Sequence, residues 1–142
     1  MLELTIKGQV YKFNAGMGFV RKIEKKMQVP LKGAPGKMQD TGLSYMLGGL
    51  IDGDPDVLVE VLDYMNEGQE PRITKNALDK YLEDEETDID ALFEKVINFL
   101  SSANCTKKKV QTFLEEVEKE KERERVRILN QQMQNQQMQA AQ

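Results

Sequence analysis

Residues 2–28 read LELTIKGQVYKFNAGMGFVRKIEKKMQ, and within them the hydrophobic pattern changes from alternation to helical spacing. Lys7-Gly8 suits a two-residue turn, because glycine tolerates a positive φ. That turn pairs Leu2 with Phe13 and Leu4 with Tyr11 on one face. On the other face it pairs Glu3 with Lys12 and Thr5 with Val10. One register thus yields both an apolar face and an opposite-charge pair. A lone hairpin is marginal in water, so this one must pack on helices. Asn14 is then expected to cap a first helix over roughly 15–28. Val20, Ile23 and Met27, with Met17 and Phe19 nearby, form its apolar side, and Arg21, Lys22, Lys25 and Lys26 its basic side. Gly16-x-Gly18 reads as close packing at the hairpin–helix junction. It lacks the third glycine and the βαβ setting of a dinucleotide fingerprint.

Downstream, Pro30, Gly33, Pro35 and Gly36 mark a loop. Asp40 or Thr41 opens a second helix ending near Ile51, with Leu43, Met46, Leu47 and Leu50 at helical spacing. Gly42, Gly48 and Gly49 in it let another backbone approach closely. Asp54-Pro55 pairs an acidic cap with proline at the first helical position. It starts a third helix over about 55–66 that buries Leu58, Val61, Leu62 and Met65. Thr74 caps a fourth helix with Leu78, Tyr81 and Leu82 inside. Thr87 to Asp90 resembles a capping box, followed by the stripe Ile89, Leu92, Phe93, Val96, Ile97 and Leu100. After a break over 101–106, Thr106 caps a last helix with Val110, Phe113, Leu114 and Val117 on one side. Glu118 to Arg127 is almost all charge. Glu115–Lys119, Glu120–Arg123 and Glu124–Arg127 are spaced to support an exposed helix. The expected fold is mainly α with a small N-terminal β-hairpin (α+β). It comprises a hairpin-plus-helix core domain over 1–103, a charged helix over 104–129, and a Gln-rich tail over 130–142 that either extends the helix or is disordered.

Composition argues by exclusion. The 142 residues contain no His and one Cys, Cys105. The commonest general base and metal ligand is therefore missing, and so is any internal disulfide or Cys-based zinc site. Asp52-Gly-Asp54-Pro-Asp56 resembles the start of a calcium loop. Val57 stands where that loop needs Gly, and Asp63 where it needs a bidentate Glu. The acidic run 83–90 lies between helices, where solvated carboxylates gain no catalytic tuning. The N-terminus lacks a charged region followed by an apolar run, and no stretch nears 18 apolar residues, so neither a signal peptide nor a membrane span is expected. With neither a catalytic nor a cofactor-binding constellation, the chain reads as a protein that binds other proteins and not as an enzyme.

The net charge of −4 hides a pattern. Residues 1–37 hold eight Lys/Arg against two Asp/Glu, residues 38–105 four against sixteen, and residues 106–142 eight against six. A basic end and an acidic middle either form ordinary solvated faces, since charge blocks alone are poor evidence of contact, or attract each other between copies, as in a homo-oligomer. The acidic balance and the lack of aromatic interleaving argue against nucleic acid as a partner. A last helix this long cannot bury all its sides in one small domain. Its apolar residues Val110, Phe113, Leu114, Val117, Val126 and Leu129 are the candidate protein-binding residues, with Met133 and Met138 in the tail as adaptable contacts.

The order of motifs is familiar as a whole. Ile6-Lys-Gly8-Gln-Val-Tyr11-Lys-Phe13 runs into Asn14-Ala-Gly16-Met-Gly18-Phe19-Val-Arg21-Lys-Ile23. Then come Tyr45-Met-Leu47-Gly-Gly-Leu50-Ile51-Asp52-Gly53-Asp54, Val57 to Leu62, Ile73 to Leu78, and Ile89 to Val96. Over roughly residues 3–102 this resembles the tail assembly chaperones of long-tailed bacteriophages and prophages of Gram-positive bacteria. The resemblance implies a protein of the infected host's cytoplasm, absent from the mature virion. It implies binding to the apolar tape measure protein to keep it soluble, and recruitment of the major tail tube protein. It also implies a second, longer product made by ribosomal frameshifting; Lys107-Lys108-Lys109 is compatible with an A-rich slippery stretch but reads better as a basic first helical turn. Two other classes fit less well: a tail completion or connector subunit retained in the virion, and a nucleic-acid-binding regulator. The Gln-rich tail falls outside the family pattern.

Overall fold

The N-terminal hairpin adopts the register that alternation predicts. β1 (Leu2–Ile6) and β2 (Gln9–Phe13) pair antiparallel, with Leu2 opposite Phe13, Glu3 opposite Lys12, Leu4 opposite Tyr11 and Thr5 opposite Val10. Lys7 and Gly8 have φ of 52° and 76°, the two left-handed residues that a type I′ turn requires. Leu2, Leu4, Ile6 and Phe13 are buried, while Glu3, Thr5, Val10 and Lys12 are exposed. This computed structural model describes residues 1–141. Among them, α1 (Met17–Glu24), β3 (Gln28–Pro30), β4 (Met38–Asp40), α2 (Gly42–Ile51), α3 (Pro55–Asn66), α4 (Lys75–Glu83), α5 (Ile89–Ser102) and α6 (Lys107–Ala140) complete the element order. The fold is therefore mainly helical, with a small N-terminal hairpin and a long last helix, as expected.

Helix α1 is shorter at both ends than the expected 15–28. Asn14 does not cap it: its N–H donates to the Met65 carbonyl at 2.8 Å, and Gly16 takes the cap position without a side-chain bond. At the far end the Met27 carbonyl accepts the Thr41 N–H at 2.8 Å, which draws the chain out of the helix. Gln28–Pro30 then pair with Met38–Asp40, so a second hairpin stands where a loop was expected. A notional Cβ on Gly16 would lie 3.0 Å from Asn14 Nδ2, whereas one on Gly18 has nothing within 4 Å, so the close packing expected at the hairpin–helix junction falls on Gly16 alone. A closer approach lies at Gly42, where a Cβ would sit 1.7 Å from the Ile23 carbonyl oxygen. That glycine lets the start of α2 lie against the end of α1.

Helices α2 and α3 carry the centre of the core, with Leu43, Met46, Leu47 and Leu50 from one and Leu58, Val61, Leu62 and Met65 from the other. Phe13, Ile23, Leu78, Val96 and Leu100 close around them. Tyr81, Leu82, Ile89, Phe93 and Ile97 are only half-buried. The caps show how local chemistry sets the boundaries. Asp54 accepts from the N–H groups of Asp56 and Val57, and Thr74 accepts from Ala77. Asp88, and not Thr87, caps α5 by accepting from Ala91 at 3.1 Å, so the expected capping box does not form. Thr106 turns backwards: its hydroxyl donates to the Leu100 carbonyl at 2.6 Å and does not cap α6. The start of α2 is capped from α1, because the Leu43 N–H donates to Glu24 Oε1 at 2.8 Å.

The chain divides into two units, Met1–Val110 and a second from Gln111 onward. Helix α6 supplies its first turn to the first unit. The rest of it, including the Gln-rich stretch through Ala140, forms the second unit.

Candidate protein-binding surface

The six residues singled out on α6 do not form one patch. Val110 is fully buried in the first unit and belongs to its core. Phe113, Leu114 and Val117 are half-buried. Residues 118–125 alternate Glu with Lys or Arg and interrupt the apolar pattern. Val126 and Leu129 are exposed, 47 % and 56 %. At about 100° per residue, Val126 lies half a turn round the helix from Val117, and Leu129 a third of a turn. Val126, Leu129 and Met133 instead share one exposed stripe at i, i+3, i+7 spacing.

Most of the charged stretch is paired within its own helix. Glu118–Lys121, Glu120–Arg123, Glu122–Arg125 and Glu124–Arg127 all pair at i, i+3. The expected Glu115–Lys119 pair does not form; Lys119 and Glu115 stay exposed, with no ion pair among the described residues. Such pairs favour a helix that needs no packing. The stripe beyond them is therefore presented on an ordered helix.

In the first unit, part of the charge asymmetry is neutralised within the chain. Lys22 pairs with Glu67, Lys26 with Glu60 at 3.4 Å, and Arg72 with Asp63 at 2.9 Å. Lys22 and Lys26 lie over the Tyr64 ring, 4.7 and 5.2 Å from its centroid. Tyr64 first, and Glu60 after it, hold the Lys26 ammonium above the ordinary lysine value. The surface also shows apolar residues that sequence reasoning missed. Val29, Leu31, Met38 and Tyr45 are all exposed. The spacing of Val29 and Leu31 is the one sequence signal for the first three, hidden by prolines and glycines on either side.

A groove of about 500 Å³ between the first hairpin and α4 sets Lys7 and Lys80 among Asp84, Glu86 and Asp88, and no His or Cys lines it. Glu83 to Glu86 are exposed, as is Cys105. Asp54 spends its carboxylate on the α3 cap. Among the described residues, no cluster of carboxylate or thiol groups is placed to hold a metal ion, and no helix is long and apolar enough to cross a membrane.

Comparison with known proteins leaves one finding. No curated protein and no solved structure matches the chain. A family model described as phage tail assembly chaperone protein, TAC, matches residues 3–115, from β1 into the start of α6. The match extends past residue 102, where the motif order ends, and takes in Val110, Phe113 and Leu114. Val117, Val126 and Leu129 lie beyond it. Because the match covers most of the chain in one run, the protein belongs to the phage tail assembly chaperone family.

Proposed function

We propose that this chaperone binds the tape measure protein, keeps it soluble, and helps recruit major tail tube subunits around it during tail assembly. The family match over residues 3–115 carries the reading. The exposed stripe Val126, Leu129 and Met133 supports it, as an adaptable helical face of the kind that covers apolar helices. Membership of a chaperone family points to a non-enzymatic role. A tape measure protein is long, so several copies bound along it gain avidity, and the chain works as a homo-oligomer. Release follows when tube subunits compete for the same stretch. The protein acts in the host cytoplasm and is left out of the finished virion.

Co-expression with a tape measure fragment tests this. The fragment should become soluble and co-elute with the chaperone on sizing. A fragment that stays insoluble, with no complex, overturns the reading. Mass spectrometry of purified virions should lack the protein, whereas a connector subunit would be present.

A further inference from the structure

The first hairpin is a two-stranded sheet, so each of its strands has an outer edge. Beside a two-residue turn the flanking residues, Ile6 and Gln9, exchange backbone bonds, and every second pair beyond them does the same. Glu3, Thr5, Val10 and Lys12 therefore point their N–H and C=O groups outward. Three of these four carbonyls are covered by a side chain. The Glu3 carbonyl accepts from Lys95 Nζ at 3.4 Å, that of Val10 from Gln9 Nε2 at 3.2 Å, and that of Lys12 from Asn66 Nδ2 at 2.9 Å. Thr5 alone has neither backbone group bonded among the described residues, and it is exposed. An uncovered edge is a template for a further strand.

The groove between this hairpin and α4 runs along the open edge. Thr5, Ile6 and Lys7 all line it. Successive strand residues face opposite ways, so a groove touching all three follows the edge of β1 and not one face. Ile6 and Tyr11 on the hairpin, with Ala77 and Tyr81 on α4, supply its apolar wall. Asp84, Glu86 and Asp88 bring carboxylates to its far end. All three are exposed and in no ion pair among the described residues. Asp84 and Asp88 each give one oxygen to a backbone N–H, of Glu86 and Ala91 respectively. Lys7 and Lys80 also line the groove, but the carboxylates outnumber them.

We propose that the β1 edge at Thr5 takes an extended, basic segment of a second protein as an added antiparallel strand. The residue of that segment opposite Thr5 exchanges both backbone bonds with it. Its two neighbours share the face of Leu4 and Ile6, and so enter the groove. There an aliphatic side chain meets Ile6, Tyr11, Ala77 and Tyr81, and an Arg or Lys meets the carboxylates. Backbone pairing supplies affinity and the alternate side chains supply specificity. A helical segment has no free backbone groups to offer Thr5, so this edge and the α6 stripe take partners of different conformation. The site lies wholly within the first unit and stands apart from tape measure capture by that stripe.

The capped pentapeptide Arg-Thr-Val-Thr-Arg is a suitable probe, since its arginines and valine fall on one face of a strand and its threonines on the other. Titrated into the isotope-labelled full chain, it should shift the NMR amide resonance of Thr5 and leave those of Val126 and Leu129 in place. The same peptide methylated on both threonine nitrogens keeps every side chain but cannot donate to the Thr5 carbonyl. It should bind at least tenfold more weakly. Glu-Thr-Val-Thr-Glu should bind about threefold more weakly or worse, because exposed charges are partly screened. Glu86→Lys alters one exposed side chain. It should keep its circular dichroism, weaken the arginine peptide and strengthen the glutamate one. An unmoved Thr5 resonance, undiminished binding of the methylated peptide, or preference of the native chain for the glutamate peptide would each overturn the proposal. So would a Thr5 resonance that shifts with chain concentration alone, because a second copy would then fill the edge.

Discussion

The carboxamide oxygen of Asn66 accepts the backbone N–H of Ile73 at 2.8 Å. The same oxygen accepts from Arg72 Nη1 at 3.0 Å, and the Asn66 Nδ2 donates to the carbonyls of Lys12 at 2.9 Å and Pro71 at 3.4 Å. The side chain is fully buried, so it ties the first hairpin, the end of α3 and the approach to α4 together out of water. Asn66→Asp keeps the acceptor but loses both donations and turns a carboxylate towards two carbonyls. It should lower stability by about 2–4 kcal/mol at neutral pH. Urea titration should show a lower midpoint at unchanged slope. An unmoved midpoint would mean that this junction does not depend on Asn66.

Gly42 is the second such constraint. A Cβ there would lie 1.7 Å from the Ile23 carbonyl oxygen, which is backbone and cannot rotate away. Gly42→Ala must push α1 and α2 apart, at a cost of about 3 kcal/mol. Gly18→Ala meets nothing within 4 Å and should be neutral or mildly stabilising, because alanine favours a helix interior. Thermal melts of the two variants should therefore move in opposite directions or, for Gly18, not at all.

Glu24 holds two elements with two oxygens. Oε1 accepts from Leu43 N–H at the start of α2, and Oε2 pairs with Lys109. The cap satisfies a helix-end donor, whereas the Lys109 ammonium is half exposed and its pair is screened. Glu24→Ala should cost about 1–2 kcal/mol. Glu24→Gln, which keeps the acceptor, and Lys109→Ala should each cost about 0.5 kcal/mol or less. Equal losses in all three would assign the stabilisation to the ion pair instead.

What was legible in the sequence divides along the range of the interactions. The first hairpin was readable because turn, alternation and charge pair all fall within twelve residues. Asp54-Pro55 and Thr74 were readable for the same reason. The end of α1 was not, because it is set by Thr41 reaching back to the Met27 carbonyl. Strands of only three residues, one of them ending in a proline, carry no alternation, so β3 and β4 have the signature of a loop. Asn66 gives no sign of its role, since its partners stand at Lys12 and Ile73. The division of the α6 residues into two faces was within reach of helical arithmetic: nine residues separate Val117 from Val126, and nine steps make two and a half turns.

Burial pushes the Tyr81 phenol above its ordinary value. The unfolded chain titrates near pH 10, so above that it holds fewer protons than the folded one. Stability from this group is complete below the unfolded pKa and is lost as pH rises through the folded one. Tyr81→Phe should therefore flatten the alkaline limb of stability against pH. Urea midpoints measured at rising pH would show it, and parallel limbs in the two proteins would refute it.

The last prediction separates core from surface among the α6 residues. Val110 is fully buried, so Val110→Ala should cost about 2 kcal/mol through lost burial and the cavity left behind. Val126 and Leu129 are exposed, so Val126→Ala and Leu129→Glu should leave the urea midpoint within about 0.5 kcal/mol of the native protein. If the stripe meets the tape measure protein, Leu129→Glu should still weaken capture of a tape measure fragment at least tenfold, because it places a charge in an apolar contact. Such a loss at unchanged stability cannot come from unfolding. Undiminished capture would move the contact off this stripe, to the part of the chain that the family match covers, where Phe113 and Leu114 stand half-buried.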